Sequence, residues 1–78
     1  MLNLYETSDF HLAVTLHALG FKLVSIDRSD YRRSLFQFSN EPQISQVIEV
    51  FFRDELTLNP RVVLLSAKLV KDRLHAGQ

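Results

Sequence analysis

The sequence predicts a small α+β domain with the element order β-α-β-β-α-α, in which helices pack against a three-stranded, mainly antiparallel sheet. Two observations lead to this fold class. Three segments repeat apolar residues at the helical spacing of three and four, and three shorter segments are rich in strand-forming residues. The 78 residues are enough for one domain, which we assign to residues 1–78.

The N-terminal part predicts a strand followed by a capped helix. Residues 2–6 alternate apolar and polar side chains, which is typical of a short strand. A helix is predicted over about residues 8–19, because the polar residues 7–9 can accept hydrogen bonds from the free amides of its first turn. Gly20 suits the position after the last turn, since glycine adopts the left-handed conformation without a Cβ penalty.

Residues 21–26 and 33–38 predict two further strands. The loop between them is polar and contains Asp27 and Asp30, so a hairpin is the simplest connection. Neither strand separates apolar from polar side chains cleanly, and we therefore expect both faces of the sheet to be partly covered, by helices or by another chain. The sequence leaves open which edge of the hairpin the first strand joins.

The second helix is predicted over about residues 41–54. Asn40 and Gln43 can form a capping box at its start, and Pro42 suits the first turn because its missing N–H needs no partner there. Five residues at the ideal helical spacing form its apolar stripe: Ile44, Val47, Ile48, Phe51 and Phe52.

The third helix is predicted to start at Asn59 and Pro60, by the same combination of a cap and a proline, and to end at Gly77. Two neighbouring apolar stripes run along it. The main stripe contains Val63, Ala67, Val70 and Leu74. The adjacent stripe contains Val62, Leu65 and Leu69.

Composition excludes several classes of protein. Nine basic and nine acidic side chains balance, which argues against a general polyanion binder. The chain has no cysteine, and therefore neither a disulfide framework nor a thiolate metal site. Residues 1–6 lack the basic region of a signal peptide, and the apolar run 62–65 is too short to span a membrane. A cytoplasmic protein is expected.

No arrangement of residues indicates catalysis, and we predict no enzyme activity, cofactor or metal. His11 and His17 are six residues apart, which separates them by about 240° around a helix and prevents them from chelating one metal together. Asp27 and Asp30 lack the glycine and glutamate that complete a calcium loop.

The hairpin carries the first candidate binding surface. Tyr31 can stack on bases. Four cations can contact phosphates: Lys22, Arg28, Arg32 and Arg33. This chemistry suits single-stranded nucleic acid. The alternative is that Asp27 and Asp30 neutralise the arginines, which are then ordinary hairpin charges.

The second candidate surface is the adjacent stripe of the third helix, Val62, Leu65 and Leu69, because the chain has more apolar residues than one small core requires and this helix carries two apolar stripes. It predicts a protein-interaction module that binds a protein partner or itself, most simply as a homodimer. The alternative is a helix wedged between the second helix and the sheet, which buries both stripes inside the chain.

Several short segments also resemble a known family. They are Tyr5–Phe10, Gly20–Leu23, Arg32–Arg33, Phe36–Phe38 and Asn59–Pro60. In this order they resemble a family of small domains of unknown function from bacteria, phages and mobile elements, over nearly the whole chain. The resemblance implies no activity. It implies a bacterial, phage or plasmid origin, and therefore a cytoplasmic setting. We accordingly expect an accessory protein of a phage or mobile element.

Overall fold

The computed structural model describes residues 3–30 and 32–76. Its three strands are β1 (Leu4–Thr7), β2 (Leu23–Asp27) and β3 (Leu35–Ser39). Its three helices are α1 (Phe10–Ala18), α2 (Ile44–Phe52) and α3 (Pro60–His75). The predicted order β-α-β-β-α-α and the α+β class are confirmed.

The sheet has the strand order β1-β3-β2, and β3 runs antiparallel to both neighbours. Tyr5 of β1 and Leu23 of β2 both lie opposite Phe38 on this central strand. The two edge strands are therefore parallel to each other, and the hairpin partner β3 lies between them. The β2–β3 pairing is irregular between Leu23 and Ser25, where β2 has one residue more than its partner.

All three helices contribute to a core on one face of the sheet. Its buried members are Leu12, Ala13, Val14, Leu16, Leu23, Phe36, Phe38, Ile44 and Val70. On the other face, Gln37 donates from Nε2 to Glu6 Oε2 at 2.7 Å and accepts a hydrogen bond from Ser25 Oγ. None of these three side chains is buried. The helices thus cover one face only, so cover of both faces by helices is wrong, and cover of the second face by another chain stays a prediction.

The ends of α1 follow the predicted signals. Asp9 is its N-cap and accepts a hydrogen bond from the Leu12 amide at 3.2 Å. Gly20 has φ +96°, and its N–H donates to the His17 carbonyl at 3.1 Å. The Phe21 N–H donates to the Leu16 carbonyl at 3.0 Å, which completes a Schellman motif. The helix is shorter than predicted because the capping residue itself is extended.

The predicted capping box of α2 is wrong. The helix begins at Ile44, and the preceding Gln43 makes no side-chain cap hydrogen bond. The reason lies in the sheet, because the Asn40 N–H donates to the Asn3 carbonyl at 3.0 Å and so extends the β1–β3 pairing. A turn then leads into the helix, with the Ile44 N–H donating to the Glu41 carbonyl at 3.0 Å.

Phe52 was predicted to belong to the buried stripe of α2, and this is wrong as well, since it is 65% exposed. Ile44 is buried, and Phe51 is partly buried against the core. Phe52 lies about 80° around the helix from Ile44, at the margin of the stripe. It contacts the edge of the Phe51 ring at a centroid distance of 5.1 Å and faces solvent.

The end of α2 gives the first testable prediction. The Asp54 N–H donates to the Phe51 carbonyl and the Glu55 N–H donates to the Val50 carbonyl, which forms a second Schellman motif. Asp54 therefore holds the left-handed position, with φ +56°, although it has a Cβ. We expect Asp54→Gly to raise the free energy of unfolding by roughly 0.5–1 kcal/mol, because the strain exceeds the added entropy of the unfolded chain. Urea denaturation measures the change, with Asp54→Ala as a control that keeps the Cβ. A destabilised glycine variant would contradict the strain.

The start of α3 is as predicted. Asn59 is the N-cap, its side chain accepts a hydrogen bond from the Arg61 amide at 2.9 Å, and Pro60 occupies the first turn. The predicted end of the helix at Gly77 lies outside the described residues. Val70 is buried and Val63, Ala67 and Leu74 pack against the core, which confirms the main stripe.

Candidate functional sites

A cleft of about 410 Å³ opens where the β2–β3 loop, the start of α1 and the last turns of α3 meet. We call it the cationic cleft. Its basic side chains are those of Arg32, Arg33, Lys71 and His75. Two hydroxyls, of Ser8 and Ser34, also line it, and Phe10, Phe36 and Leu74 form an apolar floor. The fold therefore brings the two arginines of the hairpin together with two basic side chains, Lys71 and His75, of the distant third helix.

The lining of the cleft is cationic because no aspartate or glutamate is among its described residues. Arg32 Nε lies 3.8 Å from Asp30 Oδ1, and since both side chains are well exposed, this ion pair contributes little to stability. Lys71 Nζ lies 5.9 Å from the centroid of the Phe10 ring, a cation–π distance. The centroid of the Phe10 ring in turn lies 6.2 Å from that of Phe36. The aromatic floor thus holds the lysine beside the cleft.

Arg28, another candidate phosphate contact, forms hydrogen bonds within the chain. Its Nη2 donates to the carbonyls of Arg73 at 2.6 Å and Leu74 at 2.7 Å, and its Nε donates to Leu74 at 3.0 Å. These carbonyls belong to the last turn of α3, where backbone acceptors need partners from outside the helix, although that of Arg73 also accepts from the Ala76 N–H at 3.3 Å. In return, Arg73 donates to the carbonyls of Leu23 at 2.6 Å and Val24 at 3.3 Å. The two arginines clamp the edge strand to the helix.

Lys22 lies at the other end of the hairpin from the loop. Its carbonyl accepts from the Ser39 amide at 3.1 Å, next to the far end of β3. An extended segment from residue 22 to residue 28 spans about 20 Å, so Lys22 and the cationic cleft cannot form one compact patch. Tyr31, the candidate stacking residue, lies outside the described residues. Of the predicted surface, Arg32 and Arg33 come together at the cleft.

Sequence reasoning missed Ser8, Lys71 and His75 as neighbours of these arginines. One signal was available, because residues 71 and 75 are four apart and so lie on one face of a helix. Their approach to the hairpin depends on how α3 packs across the sheet, about forty residues further along the chain. No local pattern carries that information.

The second site is the exposed side of α3. Val62, Leu65 and Leu69 are 43%, 58% and 42% exposed, and we call this row the outer stripe. The interpretation in which both stripes are buried inside the chain is therefore wrong. Ser66, which is buried, accepts or donates a hydrogen bond with His17 Nδ1 at 3.0 Å and fixes the inner side of α3 against α1.

Charged side chains border the outer stripe. Arg61 and Asp72 are eleven residues apart, which places them within about 20° of each other around the helix, at one edge of the stripe. In the part of the chain that the structure describes, neither side chain forms an ion pair. Opposite charges thus stand near the two ends of the same apolar row.

Two perturbed acidic groups belong to the scaffold. Burial raises the pKa of the Tyr5 hydroxyl, and the nearby Asp9 carboxylate raises it further. The Ser29 N–H donates to Asp27 Oδ1 at 2.9 Å and lowers the pKa of that carboxyl. Neither group lines the cationic cleft. The Tyr5 shift follows from packing against the core, and the Asp27 shift follows from a local hydrogen bond.

Within residues 3–30 and 32–76, no group of three His, Cys, Asp or Glu side chains is placed to hold a metal ion. In the same ranges, no helix has the length and apolar content needed to cross a membrane.

Comparison with known proteins adds the family. No curated protein and no solved structure matches the chain. A family model does match, and it covers residues 2–76, which is nearly the whole sequence and includes every strand and helix described above. The chain therefore belongs to the family described as "Domain of unknown function (DUF5659)".

Proposed function

We propose that the protein is a small, non-catalytic interaction module that forms a homodimer through the outer stripe of α3. The observation that carries the proposal is the exposure of Val62, Leu65 and Leu69, at 43%, 58% and 42%. Removing apolar surface from water stabilises an assembly by roughly 25 cal/mol per Å². Three large apolar side chains in one row are therefore a favourable surface for association.

The spacing of the outer stripe suits another helix. Steps of three and four residues are those of the seam in a two-helix coiled coil. Leu65 lies about 140° around α3 from Val70, which is buried in the core. A partner at the outer stripe would therefore meet α3 on a side that the rest of the chain leaves open.

The bordering charges favour a second copy of this chain as the partner. In an antiparallel pair of α3 helices whose two-fold axis passes between residues 66 and 67, Arg61 of one copy lies beside Asp72 of the other. The two-fold axis repeats this pair at both ends of the interface, as a closed dimer requires. A parallel pair would place the two charges on opposite edges. The arrangement is thus self-complementary in one orientation.

Leu65→Glu tests the proposal. We expect the wild-type chain to be a dimer and the variant to be a folded monomer, because the dimer would bury two unpaired carboxylates and weaken by at least roughly 100-fold. Light scattering at several concentrations measures the mass, and circular dichroism checks the fold.

Leu64→Glu is the matched control. Leu64 is 71% exposed on the same helix, about 100° around from Leu65, so this variant should remain a dimer. A monomeric wild-type chain would reject the homodimer. Equal dissociation of both variants would place the interface elsewhere on the helix.

The proposed setting is the bacterial cytoplasm, where the protein would act as an accessory factor of a phage or mobile element. The resemblance of the short segments supports this origin. Binding of single-stranded nucleic acid is the second candidate, and Arg32 and Arg33 in the cationic cleft support it. It has less support than the dimer, because Lys22 lies far from the cleft and Arg28 is bound to α3.

A further inference from the structure

We propose that the cationic cleft binds a small organic phosphate of the size of a 5′-mononucleotide. The site is distinct from the dimer interface, because Lys71 lies roughly 120–160° around α3 from Leu65 and Leu69. It joins the hairpin to α3, so neither element could form it alone. The inference therefore does not depend on whether the chain dimerises.

Charge selects the phosphate. Arg33 and Lys71 are exposed at the cleft, His75 stands beside them, and no carboxylate lines it among the described residues. A phosphomonoester carries a charge of about −1.5 to −2 at pH 7, which matches two cations better than a carboxylate does. The guanidinium of Arg33 can donate two parallel hydrogen bonds to phosphate oxygens, and the lysine adds a compact positive charge.

The uncharged lining selects an organic ester over inorganic phosphate. Phe10 and Leu74 are only partly buried and give the cleft an apolar floor, which a bare phosphate would leave in contact with water. The hydroxyls of Ser8 and Ser34 can donate hydrogen bonds to the ligand. This combination of an apolar floor and a few polar groups is typical of small-molecule sites.

Size points to one nucleotide. The volume of about 410 Å³ lies at the small end of the usual range for ligand pockets, which is roughly 300–1,000 Å³. A long single strand would need further cations along its path, and Lys22 and Arg28 are placed elsewhere. The cleft can therefore hold one phosphate and its attached group.

Isothermal titration at low salt with adenosine 5′-monophosphate tests the inference, with adenosine and inorganic phosphate as separate probes. We expect the nucleotide to bind with a dissociation constant on the order of 0.1–1 mM, as befits an open site, and both fragments to bind at least roughly tenfold more weakly. Binding should weaken as salt rises. No binding at about 10 mM nucleotide, or binding no tighter than that of phosphate, would overturn the inference.

Lys71→Gln and Lys68→Gln form a matched pair on one helix. Lys71 lines the cleft and Lys68 does not, so the first change should weaken nucleotide binding about tenfold and the second should leave it unchanged. Melting temperatures verify that both variants fold, and Arg33→Gln in the loop is an independent variant with the same expected loss. Equal binding by all three folded variants and the wild type would overturn the site.

A free nucleotide and the end of a strand present the same phosphate. A short oligonucleotide with a 5′-phosphate is therefore compared with the same oligonucleotide bearing a 5′-hydroxyl. Displacement of the mononucleotide by the phosphorylated form alone would support a strand end as the source, and displacement by neither would support a free nucleotide. Equal displacement by both forms would mean that the cations contact internal phosphates, which would overturn the inference.

Leu65→Glu should bind the nucleotide as the wild type does, which separates this test from that of the dimer.

Discussion

Phe38→Ala is expected to lower the free energy of unfolding by about 3–5 kcal/mol, the largest effect of any change considered for this chain. Phe38 is fully buried, at 0% exposure, in the central strand. It lies opposite both Tyr5 and Leu23, so its ring is surrounded by residues of all three strands and by the helices above them. The truncated side chain would leave a cavity that rigid strands cannot close.

The consequence is severe because the domain is small. A chain of this length has a total stability of roughly 4–12 kcal/mol, and the change would remove a large part of it. Urea denaturation followed by circular dichroism measures the loss. Leu35→Ala on the same strand is the control, since Leu35 lies on the open face and is only partly buried, and we expect it to cost about 1 kcal/mol. Equal losses from the two changes would contradict a one-sided core.

Gly20→Val is expected to cost about 2–3 kcal/mol, because valine would have to adopt a backbone conformation that suits glycine. Gly20 has φ +96° in the Schellman motif that ends α1. A Cβ added there would meet no described atom within 4 Å. The cost therefore comes from the backbone and not from a clash, which makes this position a clean measurement of the left-handed turn.

Gly20→Asn is the companion variant. Asparagine tolerates the left-handed region better than a β-branched residue does, so we expect it to recover at least about 1 kcal/mol of the loss in valine. The same urea experiment reports both values. If valine were neutral, the turn would not need a left-handed residue, and the end of α1 would lie elsewhere in solution.

Much of the local structure could be predicted from the sequence, because it depends on residues that are close along the chain. The caps at Asp9 and Asn59 and the glycine after α1 act within three or four residues of the helix ends. The capping box predicted at Asn40 does not form, and the reason is non-local. The Asn40 N–H donates instead to the carbonyl of Asn3, far away in sequence. A capping pattern therefore does not act when strand pairing uses the same backbone N–H.

The candidate sites divide in the same way. The outer stripe could be predicted, because Val62, Leu65 and Leu69 have a helical spacing that marks them as one row, although their exposure became known only from how α3 packs. The cationic cleft could be predicted only in part. Arg32 and Arg33 are adjacent in the loop, whereas Lys71 approaches them from the other end of the chain.

The sequence by itself determined the fold class, the number and order of the elements, the caps of α1 and the start of α3, since periodicity and capping are properties of neighbouring residues. Tertiary structure decided that β1 pairs with β3 at the centre of the sheet and that Arg28 binds the end of α3. It also decided that Lys71 and Arg33 line the same cleft. These contacts join residues tens of positions apart, and they form because the strands must share one sheet and the helices must bury one common face.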